Sequence, residues 1–233
     1  MDFLTNEEWA VVALSLKVSG VAIAIVLPVS FGIAWLLERT RIPGKIFIDA
    51  LVHLPLVLPP VVTGWGLLLL FGNSGPVGRF LSDVLGITLM FRWTGAALAA
   101  AVMALPLMVR AIRLSLEAVD RRLEMAARTL GASRWRTFIS ITLPLVMPGV
   151  LAALVLGFAR SIGEFGATIT FVSNVPDETR TLPLAIYTAL QVPGGESIVT
   201  RLALISVALS LAALVASEWL VRRARYGGRG HVL

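Results

Sequence analysis

The chain has 233 residues, of which 57% are hydrophobic and 15% charged, and its formal net charge is +6. A soluble domain carries about 25% charged and about 45–50% apolar residues, so this composition is typical of a membrane protein. With no cysteine and only two histidines, the chain has no means of forming disulfides, thiolate metal sites or histidine metal clusters.

Five apolar stretches are long enough to cross a bilayer, since a membrane-spanning helix needs about 20 mostly apolar residues. They cover residues 10–37, 46–71, 94–116, 138–159 and 199–221. The second contains HLPLVLPP at 53–60, and the fourth contains Pro144 and Pro148. Proline is tolerated in a membrane helix where neighbouring helices satisfy the freed carbonyls. We therefore expect these two spans to pack inside a bundle rather than face lipid.

The basic residues predict the orientation, because cytoplasmic loops carry an excess of Lys and Arg. With five spans, 14 of the 20 basic residues fall on one side: Arg39, Arg41, Lys45, Arg110, Arg113, Arg121, Arg122, Arg128, Arg134, Arg136, Arg222, Arg223, Arg225 and Arg229. That side is predicted to be the cytoplasm, with the N-terminus outside and the C-terminus inside. The positive charge is then a topology signal, and no nucleic-acid partner is expected.

The two outer connections, at about 72–93 and 160–198, are rich in Gly, Pro, Asn and Ser. No internal repeat and no low-complexity tract interrupts the chain. The sequence therefore predicts an all-α polytopic membrane protein, with one membrane domain that fills residues 1–233.

One charged segment, LEMAARTLGASRWRTFISITLP at 123–144, lies on the predicted cytoplasmic side between the third and fourth spans. Glu124 and Arg128 are spaced for a helical ion pair, Gly131 suits a left-handed helix end, and Ser133 can cap the next helix. A narrow apolar stripe recurs at helical spacing: Leu123, Ala126, Ala127 and Leu130. The pattern fits two interpretations, an amphipathic helix resting on lipid headgroups or a docking surface for a cytosolic partner.

The same segment resembles the cytoplasmic motif of ABC importer permeases, in which Glu-Ala-Ala is followed at fixed offsets by Gly, Ile and Leu-Pro. The positions in register are Ala126, Ala127, Gly131, Ile141, Leu143 and Pro144. At the glutamate position this chain has Met125, and Glu124 stands one place earlier. The resemblance implies a coupling helix at about 120–137 that docks on an ATP-hydrolysing subunit through Glu124, Met125, Ala126, Ala127, Arg128, Gly131 and Ala132.

Longer stretches at 53–78, 107–132 and 157–197 are similar to molybdate ABC transporter permeases. This resemblance implies the membrane domain of a type I ABC importer in the bacterial cytoplasmic (inner) membrane. It further implies a homodimer that works with two ABC ATPase subunits and an extracytoplasmic molybdate-binding protein. Sulfate permeases share a related turn at GEFGA, so tungstate, sulfate and thiosulfate remain alternative substrates.

The sequence gives no sign of an enzyme. The chain lacks the phosphate loop G-x-x-x-x-G-K-[ST], so ATP and Mg²⁺ would be used by the partner ATPase, and this chain is expected to bind no cofactor. No catalytic pair of residues is visible within the spans. A secondary transporter or channel is the alternative from another class, but such folds usually show matching halves, and it would leave the coupling motif unexplained.

Charged residues in or near apolar spans are candidates for function. Lys17 can extend towards the outer surface, and Asp49 and His53, four residues apart, can pair with each other. Near the outer end of the fourth span, Arg160 and Glu164 are also four residues apart. They form either a structural ion pair or part of the translocation path, where an arginine suits a tetrahedral oxyanion.

Overall fold

The computed structural model describes residues 4–227, so Asp2, Arg229 and His231 lie outside the described residues. The described chain is helical, with eleven α-helices and one short π-helical segment at Phe138–Thr142. In chain order the α-helices are α1 (Asn6–Arg39), α2 (Lys45–Val57), α3 (Pro60–Phe71), α4 (Pro76–Leu85), α5 (Trp93–Glu117), α6 (Arg121–Thr129), α7 (Arg134–Thr137), α8 (Leu143–Ile162), α9 (Gly166–Val172), α10 (Leu182–Leu190) and α11 (Glu196–Gly227).

Four of the five predicted spans coincide with long apolar helices. Among the described residues, the helices long enough to cross a bilayer are Asn6–Arg39, Trp93–Glu117, Arg134–Ile162 and Glu196–Ala216. The third of these joins α7, the π-helical segment and α8. They begin one to four residues before the apolar stretches predicted from the sequence. The prediction that residues 1–233 form a single domain stays a prediction.

The second predicted span, 46–71, is broken rather than continuous. The helix direction bends by 118° between its two halves, α2 and α3. The break falls at Pro59 and Pro60, which have no backbone N–H to donate, and proline also disfavours helical backbone at the residue before it. Leu58 accordingly has an extended ψ of 144°. The predicted second span is therefore a bent pair of helices, which together with the four long helices gives up to five spans among the described residues.

The core of the bundle is formed by α1, α5 and α8, which pack against one another. Helix α5 buries thirteen residues, six of them alanine, whereas α8 buries five. Small residues let membrane helices approach closely. A side chain at Gly157 of α8 would lie 2.5 Å from the sulfur of Met108 and 2.9 Å from Ile23. This glycine therefore fixes the distance at which α8 crosses α5 and α1.

Of the two proline-bearing spans, the fourth packs against α1 and α5 as predicted, whereas the second is largely exposed in the single chain. In α2 only Val52 is fully buried, and in α3 only Gly64 and Leu67 are. The exposed side of α3 carries Trp65 and Leu69. The chain itself therefore leaves most of the apolar surface of α2 and α3 uncovered.

The outer connections contain helices that composition alone did not predict. Helix α4 lies in the first connection, and α9 and α10 lie in the second. Helix α9 packs on α3 at Gly64, where an added side chain would lie 2.6 Å from the carbonyl oxygen of Ala167. The second connection therefore folds back onto the bent pair instead of forming an extended loop.

Candidate functional site

The coupling segment is a short helix, a sharp turn and a second helix, as its sequence predicts. Asp120 caps α6, its carboxylate accepting a hydrogen bond from the Arg122 amide at 2.9 Å. The turn is closed by the Ala132 amide, which donates to the Ala127 carbonyl at 3.0 Å. Gly131 has a φ of +91°, the left-handed conformation that favours glycine. The predicted helix break at this glycine is confirmed.

The second helix of the segment runs directly into the membrane span. The Ser133 hydroxyl accepts a hydrogen bond from the Arg136 amide at 3.2 Å, so the predicted cap is also confirmed. From α7 the backbone continues through the π-helical segment into α8. The coupling helix is therefore joined to α8 through the turn at 130–133, α7 and the π-helical segment.

The apolar stripe of α6 is not used for packing within the chain. Leu130 is 89% exposed and Leu123 49%, and Ala126 is exposed as well. These leucines lie on a short helix that ends at Gly131. They form an exposed apolar surface of the kind that fits the groove of a partner. The exposed stripe excludes a helix packed on its own bundle and fits both predicted interpretations, a docking surface and a helix resting on lipid headgroups.

Glu124 does not form the predicted ion pair with Arg128. One of its carboxylate oxygens lies 3.1 Å from Arg39 Nη1, at the end of α1. The other accepts a hydrogen bond of 2.6 Å from the Thr142 hydroxyl, in the π-helical segment. The i,i+4 prediction was wrong because a buried guanidinium from another helix offers this carboxylate a better-shielded partner than a solvated arginine. Glu124 thus ties the coupling helix to both α1 and the start of α8.

A second polar network at the same end of the bundle was only partly predicted. The Asp49 carboxylate lies 3.3 Å from His53 Nδ1, so the predicted pairing of these two residues is confirmed. It also lies 3.1 Å from Arg113 Nη1, and Arg113 reaches Glu38 at 3.7 Å. The network joins α1, α2 and α5. Arg113 had been assigned only to topology, and no local pattern in the sequence marks its partners.

The predicted pair of Arg160 and Glu164 is present at the other end of α8. Arg160 Nη1 lies 2.6 Å from Glu164 Oε2, and the Glu164 side chain is only 2% exposed. Its other oxygen accepts a 2.7 Å hydrogen bond from the Ala167 amide, which opens α9. Glu164 therefore holds the turn between α8 and α9 in two ways. Glu164→Arg would therefore lose both the ion pair with Arg160 and the acceptor for this amide.

Lys17 lies beside an aromatic ring rather than a carboxylate. Its Nζ is 3.8 Å from the centre of the Trp93 ring, at the start of α5. A cation over an indole face is stabilised by the ring quadrupole, which explains a lysine in an apolar helix. This contact gives Lys17 a structural role in the part of α1 that is predicted to lie towards the outer surface.

Residues 24–226 match the family "Binding-protein-dependent transport system inner membrane component". The chain belongs to this family, which places it in the inner membrane as a permease subunit.

Two similar proteins are described as "Molybdenum transport system permease protein ModB". That of Escherichia coli (strain K12) is 60% identical over 222 residues, covering 95% of this chain and 97% of the relative. That of Haemophilus influenzae is 54% identical over 226 residues, covering 97% and 99%. The "Sulfate transport system permease protein CysT" of Escherichia coli (strain K12) is 36% identical over 192 residues, covering 82% and 69%.

Solved structures show the same fold at low identity. A chain of a bacterial ABC transporter involved in the import of alginate superposes with a TM-score of 0.75 at 18% identity, covering 95% of this chain and 81% of that chain. A chain of the MetNI methionine ABC transporter in an inward-facing conformation gives 0.66 at 19% identity, covering 93% and 94%. The predicted all-helical membrane domain of a type I ABC importer is therefore confirmed.

Proposed function

We propose that the chain is the membrane-spanning subunit of an ATP-driven molybdate importer. It receives the oxyanion from an external binding protein and passes it to the cytoplasm. The observation that carries the proposal is the 60% identity to the molybdenum permease of Escherichia coli over nearly the whole of both chains. Identity to the sulfate permease is 36%, over 69% of that relative, which favours molybdate over sulfate.

Hydrolysis of ATP is assigned to a separate subunit docked on residues 120–137. The exposed stripe of α6 supports this assignment, because leucines that are half exposed or more would be stabilised by burial in a partner's groove. Ala126 and Ala127 allow a close approach, and Gly131 ends the helix at a fixed point. The chain itself binds no ATP or Mg²⁺ in this scheme.

The working unit is proposed to be a homodimer with two ATPase subunits. The supporting observation is the uncovered surface of α3, where Trp65 is 56% exposed beside the proline break. Lipid would cover the apolar side chains equally well, so a chemical test is needed. Because the chain has no cysteine, Trp65→Cys introduces a single thiol, and cross-linked dimers are expected in membranes. Leu214→Cys on α11 is the control, expected to stay monomeric.

The orientation follows from the arginines and is part of the proposal. The N-terminus lies outside, α6 lies in the cytoplasm and the C-terminus is cytoplasmic. The ends of α1 and α5 gather beside α6, with Arg39, Arg113 and Arg121 at that end. The excess of basic residues at this end supports its assignment to the cytoplasm.

Arg160 is proposed to lie beside the translocation path in addition to its structural pair. Its side chain is 24% exposed, and a guanidinium offers a planar set of donors that suits a tetrahedral oxyanion. One positive charge flanked by Glu164 would attract a dianion without holding it so firmly that release is slow.

Uptake of radiolabelled molybdate by proteoliposomes tests the function. The chain is reconstituted with its ATPase and loaded binding protein, and an ATPase that cannot hydrolyse ATP serves as the control. Uptake is expected only with ATP, and excess unlabelled tungstate and sulfate measure selectivity. Uptake of sulfate in preference to molybdate would overturn the substrate, and uptake without ATP would overturn the mechanism.

A further inference from the structure

A cavity of about 320 Å³ lies between the coupling helix and the membrane bundle. We call it the basic pocket and define it by Trp35, Arg121, Glu124, Arg128, Arg134 and Phe138. Small-molecule sites have volumes of about 300–1,000 Å³, so the cavity is large enough for a polar headgroup. The apolar stripe of α6 and the proposed translocation path do not line it, whereas Glu124, Met125 and Arg128 belong both to the pocket and to the predicted docking set.

The basic pocket has an unbalanced positive charge. Its one acid, Glu124, has both carboxylate oxygens occupied by Arg39 and Thr142. Among the side chains that the structure describes (residues 4–216 and Trp219), Arg128 and Arg134 have no acidic partner, whereas Arg121 donates to the Glu38 carbonyl at 3.2 Å and lies 3.9 Å from its carboxylate. The pocket therefore offers Arg128 and Arg134 to an anion, with Arg121 beside them, and the fork of donors of a guanidinium matches phosphate oxygens.

The opposite wall of the basic pocket is aromatic. The rings of Trp35 and Phe138 lie 5.3 Å apart, and Trp135 stacks on Phe138 at 5.6 Å. Tryptophan is enriched where a protein passes through the headgroup region of a bilayer. A site with one basic and one apolar wall fits an amphiphile better than a free oxyanion, which would use only the basic wall.

The pocket and the docking stripe lie on opposite faces of α6. The pocket-lining positions are Arg121, Glu124, Met125 and Arg128, which recur at i, i+3, i+4 and i+7. The stripe positions are Leu123, Ala126, Ala127 and Leu130, which share the other face at the same spacing. An ATPase docked on the stripe therefore leaves the basic pocket facing the membrane.

We propose that the basic pocket binds the headgroup of an anionic phospholipid of the inner leaflet. The phosphodiester lies between Arg128 and Arg134, and the glycerol and upper acyl chains lie against Trp35 and Phe138. The site rests on the cytoplasmic placement of α6 in the proposed function. Bound lipid would attach the coupling helix to the membrane on one face while the ATPase holds the other.

Native mass spectrometry of the full chain, titrated with phosphatidylglycerol in a neutral detergent, tests the site. A basic residue near an anionic lipid contributes about 1 kcal/mol, so Arg128→Gln with Arg134→Gln is expected to weaken binding about 30-fold. Each single variant is expected to weaken it about fivefold. The matched control is Arg122→Gln with Arg136→Gln, which removes the same charge from exposed positions outside the pocket and should change binding less than threefold.

Several results would overturn the proposal. If Arg128→Gln with Arg134→Gln (the pocket variant) and Arg122→Gln with Arg136→Gln (the control variant) weaken phosphatidylglycerol binding equally, the lipid is held by general charge attraction. Unchanged binding in the pocket variant would place the lipid elsewhere. Saturable binding of inorganic phosphate or molybdate that excludes the lipid and is lost in the pocket variant would assign the site to a free oxyanion. Displacement of the lipid by the purified ATPase would assign it to an acidic surface of that partner. None of these measurements depends on uptake, so a failure of the proposed transport function would be seen separately.

Discussion

Removing the Glu124 carboxylate tests whether this residue attaches the coupling helix to the bundle. We expect Glu124→Ala to loosen α6 while leaving the membrane helices folded. Alanine is the best helix former, so the substitution does not itself disfavour α6. The change removes the contacts to Arg39 and Thr142 together.

The size of the effect follows from what Arg39 would lose. Its side chain is 7% exposed, its Nε has no hydrogen-bond partner, and without Glu124 its remaining contacts are the Leu116 carbonyl at 3.3 Å and the Trp35 ring. Breaking a buried ion pair by removing one partner costs about 3–5 kcal/mol. Because Glu124 is 21% exposed, we expect the low end, about 3 kcal/mol. That free energy corresponds to about a hundredfold change in an equilibrium constant.

Hydrogen–deuterium exchange of the α6 amides measures this local opening directly. Exchange in Glu124→Ala is expected to be faster by up to about a hundredfold, limited by how stable α6 is in the parent protein. Thr142→Val should give a smaller increase, because it removes one charge-assisted hydrogen bond worth about 1.5–3 kcal/mol.

The matched control is Arg128→Gln, compared in detergent without phospholipid so that the proposed headgroup site is empty, since the sequence pattern alone would pair Arg128 with Glu124. The structure gives Arg128 no such contact, so its substitution should change α6 exchange by no more than about twofold. Equal effects of Glu124→Ala and Arg128→Gln would refute the assignment of Glu124 to Arg39. So would unchanged exchange in Glu124→Ala.

Three further predictions concern the turn, the outer ion pair and the orientation. Gly131→Asp places a side chain at positive φ, at a cost of about 1–2 kcal/mol, and a charge beside the docking surface. Co-purification of the ATPase and uptake should both be lost while membrane insertion persists, and a variant that transports normally would refute the docking role. Arg160→Gln combined with Glu164→Gln removes both charges yet leaves an acceptor for the Ala167 amide. Assembly should persist while uptake falls at least tenfold, about 1.4 kcal/mol, and full uptake would remove Arg160 from the path. Reporter fusions at Asp83 and Asp177 should give external signals, and a cytoplasmic signal at Asp177 would refute the five-span orientation.

Features that depend on neighbouring residues could be predicted from the sequence. Runs of apolar residues set the positions of the long helices, because a bilayer requires about 20 such residues in succession. The end of α6 at Gly131 and the cap at Ser133 were predictable, since backbone conformation and capping depend on a few adjacent positions. The pairs Arg160–Glu164 and Asp49–His53 were predictable for the same reason, because residues four apart share one face of a helix.

Contacts between residues far apart in the chain depend on tertiary packing. Glu124 has its neighbour Arg128 within reach but pairs with Arg39, 85 residues away. The choice depends on burial: an ion pair shielded from water is stronger than one exposed to it, and burial is a property of the packed bundle. The bend of 118° between α2 and α3 could not be predicted from the sequence either. Prolines in a membrane span allow either a kink or a sharp turn, and the packing of α9 on Gly64 decides which forms.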